Sequence, residues 1–497
     1  MSQEIELKLA LPPSALPALR RHPLVAGAAR EGKAETLDNT YFDTPDLTLK
    51  ANRVAVRTRR QGRKWLQTVK CAATSSGGLS SRPEWEGPYN GRFDFSAVDH
   101  PEAARLLHKH GGKLTPLFST RFRRETRLYS PREGVRILLM TDSGRIEAGG
   151  RELPICELEL ELVDGDPLDL LELACTLARD LPLVPNDISK AQRGYQLFHD
   201  QPVTPVRSEP PRLEADAGIS EAFRALAFAT LRAWQANAVA IAEGHQDPEF
   251  IHQLRVALRR LRALLRTFAP VLPADFHETW SARLREHAAL LAEARDLDVL
   301  YTELLEPVRT EEVNRDEIDV HGLAALADDA RTEARKHALK GLAKAGEGLA
   351  MLEFTAALHR LPDIEGDLAS FARERLDRLR KRARRRFDAA TDLAPARLHA
   401  LRIAFKHLRY AVEFFTPLLA RKAGARYLAA LVKAQDTLGY LNDVDVARAR
   451  LARWADDIRA LQTAAAFVSG WHAPRYARYR RRVLDEARPL LWGRKPW

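Results

Sequence analysis

Two hydrophobic rhythms divide the 497-residue chain. Up to about residue 200, short runs alternate apolar and polar side chains with period two: VAVRTRR, KWLQTVK, RFRRETRLY, VRILLM and CELELEL. Turn formers such as Gly62, Ser75-Ser76-Gly77-Gly78, Gly87-Pro88, Gly134 and Gly149-Gly150 separate them. This pattern predicts antiparallel sheet, with helices at roughly 12–26 and 167–181. The stretch QPVTPVRSEPPR (201–212) has four prolines in twelve residues and reads as a linker, taken as 201–217. Beyond it, Ala, Leu, Arg and Glu dominate with apolar residues at helical spacing, which predicts an all-α region over 218–497.

That helical region repeats itself. HQLRVALRRLR from His252 and HALRIAFKHLR from His399 lie 147 residues apart, and the same offset pairs Phe268 with Phe415 and Pro270 with Pro417. It also pairs Asp296 with Asp443, Asp298 with Asp445, Arg331 with Arg478 and Arg335 with Arg482. Duplication of a four-helix unit follows, at about 218–364 and 365–497. The expected architecture is a multidomain α+β chain: a sheet domain at 1–200 and two duplicated four-helix bundles after the linker.

Charge sharpens this division. Residues 1–200 hold 29 Lys/Arg against 27 Asp/Glu, and residues 201–497 hold 49 against 40, so most of the net +11 lies on the helices. A polyanion is the expected partner there; nucleic acid, polyphosphate and acidic membrane surface all satisfy charge alone. No stretch has the roughly 18 apolar residues that span a bilayer. The opening MSQEIELK has two acids and no apolar h-region, and Cys71, Cys156 and Cys175 form no CxxC pair. A reducing, cytoplasmic location is expected.

The strands carry the candidate chemistry. In EIELKL, alternation groups Glu4, Glu6 and Lys8 on one face; in CELELEL it groups Glu157, Glu159 and Glu161. A solvated charged face is the ordinary outcome for one such strand. Three like charges on a shared face repel, however, and a divalent cation relieves that repulsion; Mg²⁺ favours a few carboxylates with waters and phosphate oxygens. Basic residues are strand-borne too: Arg57 and Arg59 share a face, as do Arg121, Arg123 and Arg127, and Lys70 ends TVK. Lys190 and Arg193 lie in SKAQRGY. Carboxylates for a metal and cations for phosphate oxygens together suit a small, highly charged substrate.

On the helices, His252, Arg255, Arg259 and Arg262 fall within an arc of roughly 80°. His399, Arg402, Lys406 and Arg409 occupy the corresponding positions of the second copy. Repetition of a basic stripe beside the core points to an anion site. Asp296, Asp298, Asp443 and Asp445 are placed either to orient these bases or to pair between helices. The run 373–387 is expected to be mainly a solvated helix, and Tyr476 and Tyr479 to pack.

These residues resemble known families. EIELK, YFDTPD (41–46), VAVRTR, TVK, RPEWE (82–86), TDSG (141–144), ELELEL and SKAQRGY resemble, in order, the CYTH domains, the triphosphate tunnel metalloenzymes. The arrangement is most similar to bacterial inorganic triphosphatases with a helical extension. The resemblance implies an eight-stranded antiparallel barrel forming a tunnel, with Mg²⁺ or Mn²⁺. It implies Glu4, Glu6, Asp142, Glu157, Glu159 and Glu161 as metal ligands. Lys8, Arg57, Arg59 and Lys70 would be catalytic and, with Arg121, Arg123, Lys190 and Arg193, would bind substrate. The helical region resembles the CHAD family, which implies inorganic polyphosphate as partner for the two His/Arg/Lys stripes and polyphosphate granules as an address. Metal-dependent hydrolysis of tripolyphosphate is the expected activity. Adenylate cyclase or organic triphosphatase activity (thiamine triphosphate, for example) is the enzyme alternative, with Trp65 and Trp85 as weak candidates for a base pocket. A non-catalytic polyphosphate tether is the alternative of another class.

Overall fold

The computed structural model describes residues 2–71, 74–211, 213, 216–311, 318–456 and 459–497. Among these, eight strands close a barrel: β1 Ser2–Ala10, β2 Glu35–Asp43, β3 Ala55–Gln61, β4 Lys64–Lys70, β5 Leu79–Pro88, β6 Thr115–Tyr129, β7 Arg136–Ala148 and β8 Arg151–Asp164. Their order is β1-β8-β7-β6-β2-β3-β4-β5, all antiparallel, and β5 pairs back onto β1. The short strands Ala29–Arg30, Thr74–Ser76 and Val184–Pro185 add to its edges. Closure pairs β1 on both sides: Glu6 opposes Glu161 and Lys8 opposes Glu159 on β8, while Glu4 opposes Arg82 on β5.

Alternation then does the reverse of what it does in a half-solvated sheet. The charged face of β1 and β8 turns inward, and Leu7, Leu9, Leu158 and Leu160, each 0% exposed, face outward. Helix α1 (Pro167–Asp180) covers them with Leu170, Leu171, Ala174 and Leu177. It starts with a capping box at Asp166 and Asp169, and coincides with the helix expected at 167–181. The helix expected at 12–26 is instead broken into Pro13–Ala15, Leu16–Arg21 and Pro23–Gly27, because Pro17 and Pro23 each require an N-terminal helical position. Helix α2 (Lys190–Phe198) brings SKAQRGY to the barrel, and its Gly194 admits the Phe118 ring, which would lie about 2.0 Å from an added Cβ.

The rest is helical: α3 Ile219–Ala242, α4 Pro248–Phe268, α5 Ala274–Leu290, α6 Val320–Lys344, α7 Glu347–Arg360, α8 Leu368–Ala389, α9 Pro395–Phe414, α10 Arg421–Ala455 and α11 Arg459–Trp492. The 147-residue offset reappears in the elements. It takes the first residue of α4 to that of α9, and the first residue of α5 to that of α10. The copies differ in the third helix, which is continuous in α10 but interrupted after α5, where Ala292–Val299 leads into a π-helical turn at Leu300–Leu305.

Two compact units result. The first contains the described residues of Met1–Arg207, Leu231–Leu254 and Gly346–Leu361; the second holds those of Ser208–Thr230, Arg255–Ala345 and Pro362–Trp497. Helix α7 therefore belongs with the barrel. Its Leu352 and Ala356 join the core beneath α1, and Gly348 abuts the Leu183 carbonyl so closely that an added Cβ would lie 1.8 Å from it. The proline-rich stretch is anchored in the same unit: the buried Asn237 amide donates to the Val206 carbonyl at 2.8 Å and accepts from its N–H at 3.0 Å.

Within the second unit, the copies meet around a local pseudo-two-fold. Arg260 pairs with Glu413 at 2.6 Å, and the equivalent contact joins Arg266 to His407. Phe268 meets its own counterpart Phe415, ring centroids 5.7 Å apart. The run 373–387 is less solvated than expected. Arg380 is buried, with Nε donating to the Leu490 carbonyl, while Arg384 reaches that of Leu491 and Arg375 those of Arg266 and Thr267. These carbonyls end α11 and α4, where cations complement the helix dipole. Tyr476 and Tyr479 pack as expected: the Tyr476 hydroxyl donates to Asp445 at 3.1 Å, and the Tyr479 ring lies against Tyr440.

Candidate functional site

The barrel encloses a cavity of about 1210 Å³. Its wall includes Glu4, Glu6, Lys8, Arg57, Arg59, Lys70, Glu159, Glu161 and Lys190 from the expected set. Strand parity accounts for this convergence, since i, i+2 residues on neighbouring strands of a closed barrel all point to one lumen. The wall also includes Arg82, Glu84, Glu86, Arg124 and Tyr41, which sequence reasoning missed. The signal for three of them was present: Arg82, Glu84 and Glu86 alternate in RPEWE as Glu4, Glu6 and Lys8 do in EIELK.

Arg121 and Arg123 require correction. Their side chains are 62% and 61% exposed, and they pair on the outside with Asp38 and Glu125. In β6 the inward residues are the even-numbered ones, Phe118, Thr120, Phe122 and Arg124, because two phenylalanines of that parity enter the buried interior. The basic group β6 supplies to the lumen is Arg124. Arg193, Asp142 and Glu157 also lie off the cavity wall. Arg193 donates to the Pro154 carbonyl at 2.5 Å and sits 3.8 Å from Glu157. Asp142 and Glu157 are buried around Lys190.

Two charge networks lie inside the barrel, the first reaching from the cavity wall into the buried acids behind it and the second on the wall itself. In the first, Asp142, Glu157 and Glu159 converge, with ligand oxygens within 4.8 Å of one another. Lys190 Nζ donates to all three, at 2.7 Å to Asp142 and 3.1 Å to Glu159, while lying 4.9 Å from the Phe122 ring centroid. Arg124 forks onto Asp142 at 2.6 and 2.8 Å and also reaches Glu159. Burial opposes ionisation of Glu159, but Lys190, Arg124 and Lys8 outweigh it and hold the carboxyl well below its usual range. Burial likewise works against the Lys190 ammonium, and the three carboxylates raise it nonetheless.

In the second network, Lys70 bridges Glu84 at 2.6 Å and Glu4 at 3.2 Å; Arg82 bonds Glu4 at 3.1 Å and also Glu6; Lys8 lies 2.5 Å from Glu6. Burial would raise Glu84, yet Lys70 and Arg57 bring it down to about 2. Arg57 and Arg59 stand 3.7 Å from Glu84 and Glu86. Burial, with Arg57 and Arg124 nearby, lowers Arg59 to about 10.

Glu161 differs from its neighbours. Burial, together with Glu4 and Glu6, pushes its carboxyl up to about 7. The carboxylates whose oxygens converge, within 4.8 Å of one another, are Asp142, Glu157 and Glu159, a donor set of the kind that ligates a divalent cation. The donor set therefore fits a divalent metal.

Residues 2–195 match the CYTH domain family, and residues 225–452 match the CHAD domain family. The chain carries a CYTH domain followed by a CHAD domain. A curated inorganic triphosphatase from Haemophilus influenzae is 33% identical over 210 residues, which cover 41% of this chain and 57% of that protein. Among solved structures, the CHAD domain from the plant Ricinus communis is 32% identical, covering 59% of this chain and 98% of its own, with a TM-score of 0.49. HpAC1 from Hippeastrum, for which a dominant triphosphatase activity is described, is 23% identical, covering 41% and 98%, with a TM-score of 0.30. No described helix is long and apolar enough to cross a membrane.

The CHAD stripes converge only in part. Arg255, Arg259 and Arg262 of α4 and Arg402 and Lys406 of α9 are electrostatic neighbours. Asp443 lies 3.9 Å from Arg402, and Asp296 faces Arg255. Arg409 is turned to Gln435 and Glu413, at 2.8 and 2.6 Å. His399 is exposed, with Nδ1 2.5 Å from the Asn442 side-chain oxygen, and His252 sits half-buried one turn before Arg255. Asp298 pairs with Arg335 between helices.

Proposed function

We propose that the CYTH domain is a metal-dependent inorganic triphosphatase, cleaving tripolyphosphate to diphosphate and phosphate, and that the CHAD domain binds inorganic polyphosphate. The observation that carries the reading is the barrel interior: a closed wall where cations alternate with carboxylates, backed by the convergent acids Asp142, Glu157 and Glu159. Simple anion binding needs no such acids. Glu4, Glu6 and Glu161 together with the convergent Asp142, Glu157 and Glu159 would hold the divalent cation, Mg²⁺ or Mn²⁺; when bound it polarises phosphoryl oxygens and neutralises their charge.

Arg57, Arg59, Lys70 and Arg124 hold the phosphate chain from β3, β4 and β6, and Lys8 and Lys190 supply point charges from opposite sides of β8. These groups offset the charge that spreads onto the oxygens as the terminal phosphoryl group passes to water in line. An inorganic substrate is favoured over an organic triphosphate by the wall itself. Its described aromatic rings are Tyr41, Phe122 and Tyr195; Trp65 and Trp85 are not among them. Each already has a partner on a ring face: Lys190 lies over Phe122, Lys50 lies 5.3 Å from the Tyr195 centroid, and Tyr41 stacks on Phe118 with centroids 4.7 Å apart. The deciding assay is phosphate release from tripolyphosphate, ATP and long polyphosphate, with Mg²⁺ and after exhaustive chelation. Tripolyphosphate is expected to lead severalfold and to lose its turnover on chelation; equal activity without metal would overturn the reading.

In the CHAD domain, the convergence of Arg255, Arg259, Arg262, Arg402 and Lys406 supports polyphosphate binding. Five cations face two nearby carboxylates, Asp296 and Asp443, leaving an excess of positive charge that a flexible polyanion can neutralise. The domain limits that go with this reading are 1–200 for the tunnel, 201–217 for the linker and 218–497 for the helices.

A further inference from the structure

The two copies of the basic stripe differ at one central position: Arg259 in the first is Lys406 in the second. A guanidinium keeps its proton at every ordinary pH, whereas a lysine ammonium can give its proton up when desolvated among like charges. Lys406 is half-buried on α9 and meets that condition from several directions. Arg402 precedes it by one helical turn, Arg259 of α4 lies 5.8 Å from the ring of Tyr410, one turn further along α9, and Arg255 and Arg262 flank Arg259 on the α4 stripe. His407 follows it but is turned to Arg266, with Arg382 of α8 on that side. The nearby acid of α10, Asp443, stands 3.9 Å from Arg402, and Asp296 is directed at Arg255.

We propose that Lys406 is the proton-uptake site of the CHAD domain: it is neutral in the free protein and takes up a proton as polyphosphate docks across the stripe. The proposal rests on the reading that this stripe binds polyphosphate and adds how that binding is regulated. Burial, and then Arg259, Arg402, Arg255 and Arg262, push the Lys406 ammonium down to about 6. A bound polyanion reverses the sign of the field and restores the charged form. The linkage then has a definite sign. Below about pH 6 the lysine is already charged and binding takes up no proton there; above it, affinity falls as pH rises, by about tenfold per pH unit while one proton is bound per docking event. The duplicated fold thus contains one half whose central cation is permanent and one whose central cation responds to pH.

The test is calorimetry of the full chain with long-chain polyphosphate at about pH 7.5, in two buffers of different ionisation heat. The buffer dependence of the heat gives protons taken up. The expected result is about one more proton bound by the wild type than by Lys406→Arg, because titration of the terminal phosphates is common to both. Lys406→Met, which mimics the neutral form, should match wild-type affinity at high pH and fail to gain as pH falls. Equal proton uptake by wild type and Lys406→Arg overturns the proposal while leaving the polyphosphate site standing. Absence of polyphosphate binding by any of the three, with heat-unfolding curves unchanged, overturns the site and the proposal together.

Discussion

The tunnel and the helical face both collect buried charge, but they balance it differently. In the lumen, nearly every cation meets a carboxylate: Lys190 meets three, Arg82 two, Lys70 two. On the helices, five cations converge with acids only at the margin, and burial with repulsion brings Lys406 to about 6. On the proposed function, the site with both signs suits a polyanion with its metal, and the site of one sign suits a polyanion alone. Buried ion pairs contribute little net stability, because desolvation offsets their attraction, so this many around a cavity indicate binding rather than folding.

The contrast breaks most visibly on the helices. Replacing Arg255, Arg259, Arg402 and Lys406 together with Ala is expected to weaken long-chain polyphosphate binding by about 10³-fold and to flatten its salt dependence. Replacing the exposed Lys381, Arg385 and Arg386 is expected to cost less than about fivefold, because these are solvated charges. Titration at several salt concentrations separates the two. Duplex DNA competing as well as polyphosphate at equal phosphate concentration would remove the specificity.

In the tunnel, Glu159→Gln and Glu161→Gln should each lower turnover by about 10²-fold, through weaker hold on the metal. Their stabilities should diverge. Glu159→Gln leaves Lys190 and Arg124 short of a partner and should lower the melting temperature. Glu161→Gln removes a carboxylate that Glu4 and Glu6 repel. Its folded value, about 7, lies above the usual carboxylate value, so the folded state binds more protons between roughly pH 4.5 and 7, and the group destabilises progressively as pH rises through that window. Melting curves at either end should show Glu161→Gln gaining relative to wild type at the higher pH. An unchanged difference would mean that Glu161 is compensated in the native protein.

Two smaller effects sharpen the geometry. Arg124→Ala should lower turnover by at least about tenfold, while Arg121→Ala and Arg123→Ala should stay within about twofold, since exposed ion pairs contribute little. Steady-state kinetics on the three variants settle which face of β6 lines the lumen. Leu352→Ala, in a helix that begins 180 residues after α1 begins, should destabilise the barrel unit by about 2–5 kcal/mol, as deletion of a buried leucine does elsewhere. No loss in a denaturant titration would mean that α7 does not share the core beneath α1.

The amino-acid sequence alone determined the periodicities. Period-two alternation grouped Glu4 with Glu6 and Lys8, and Glu157 with Glu159 and Glu161, because successive strand residues must point to opposite faces. The 147-residue repeat foretold where paired helices begin, because duplicated sequence carries duplicated caps and breaks. Alternation names two faces, however, and not which one is inside. Closure of the barrel made that choice: it sent Arg121 and Arg123 to solvent and Arg124 into the lumen. Pairing of acids with bases was likewise set by which strands became neighbours, so Glu159 is held ionised and Glu161, two residues on, is pushed to about 7. The inclusion of α7 in the barrel unit was equally invisible along the chain, since an apolar helical stripe specifies that something must cover it and leaves the partner to the tertiary fold.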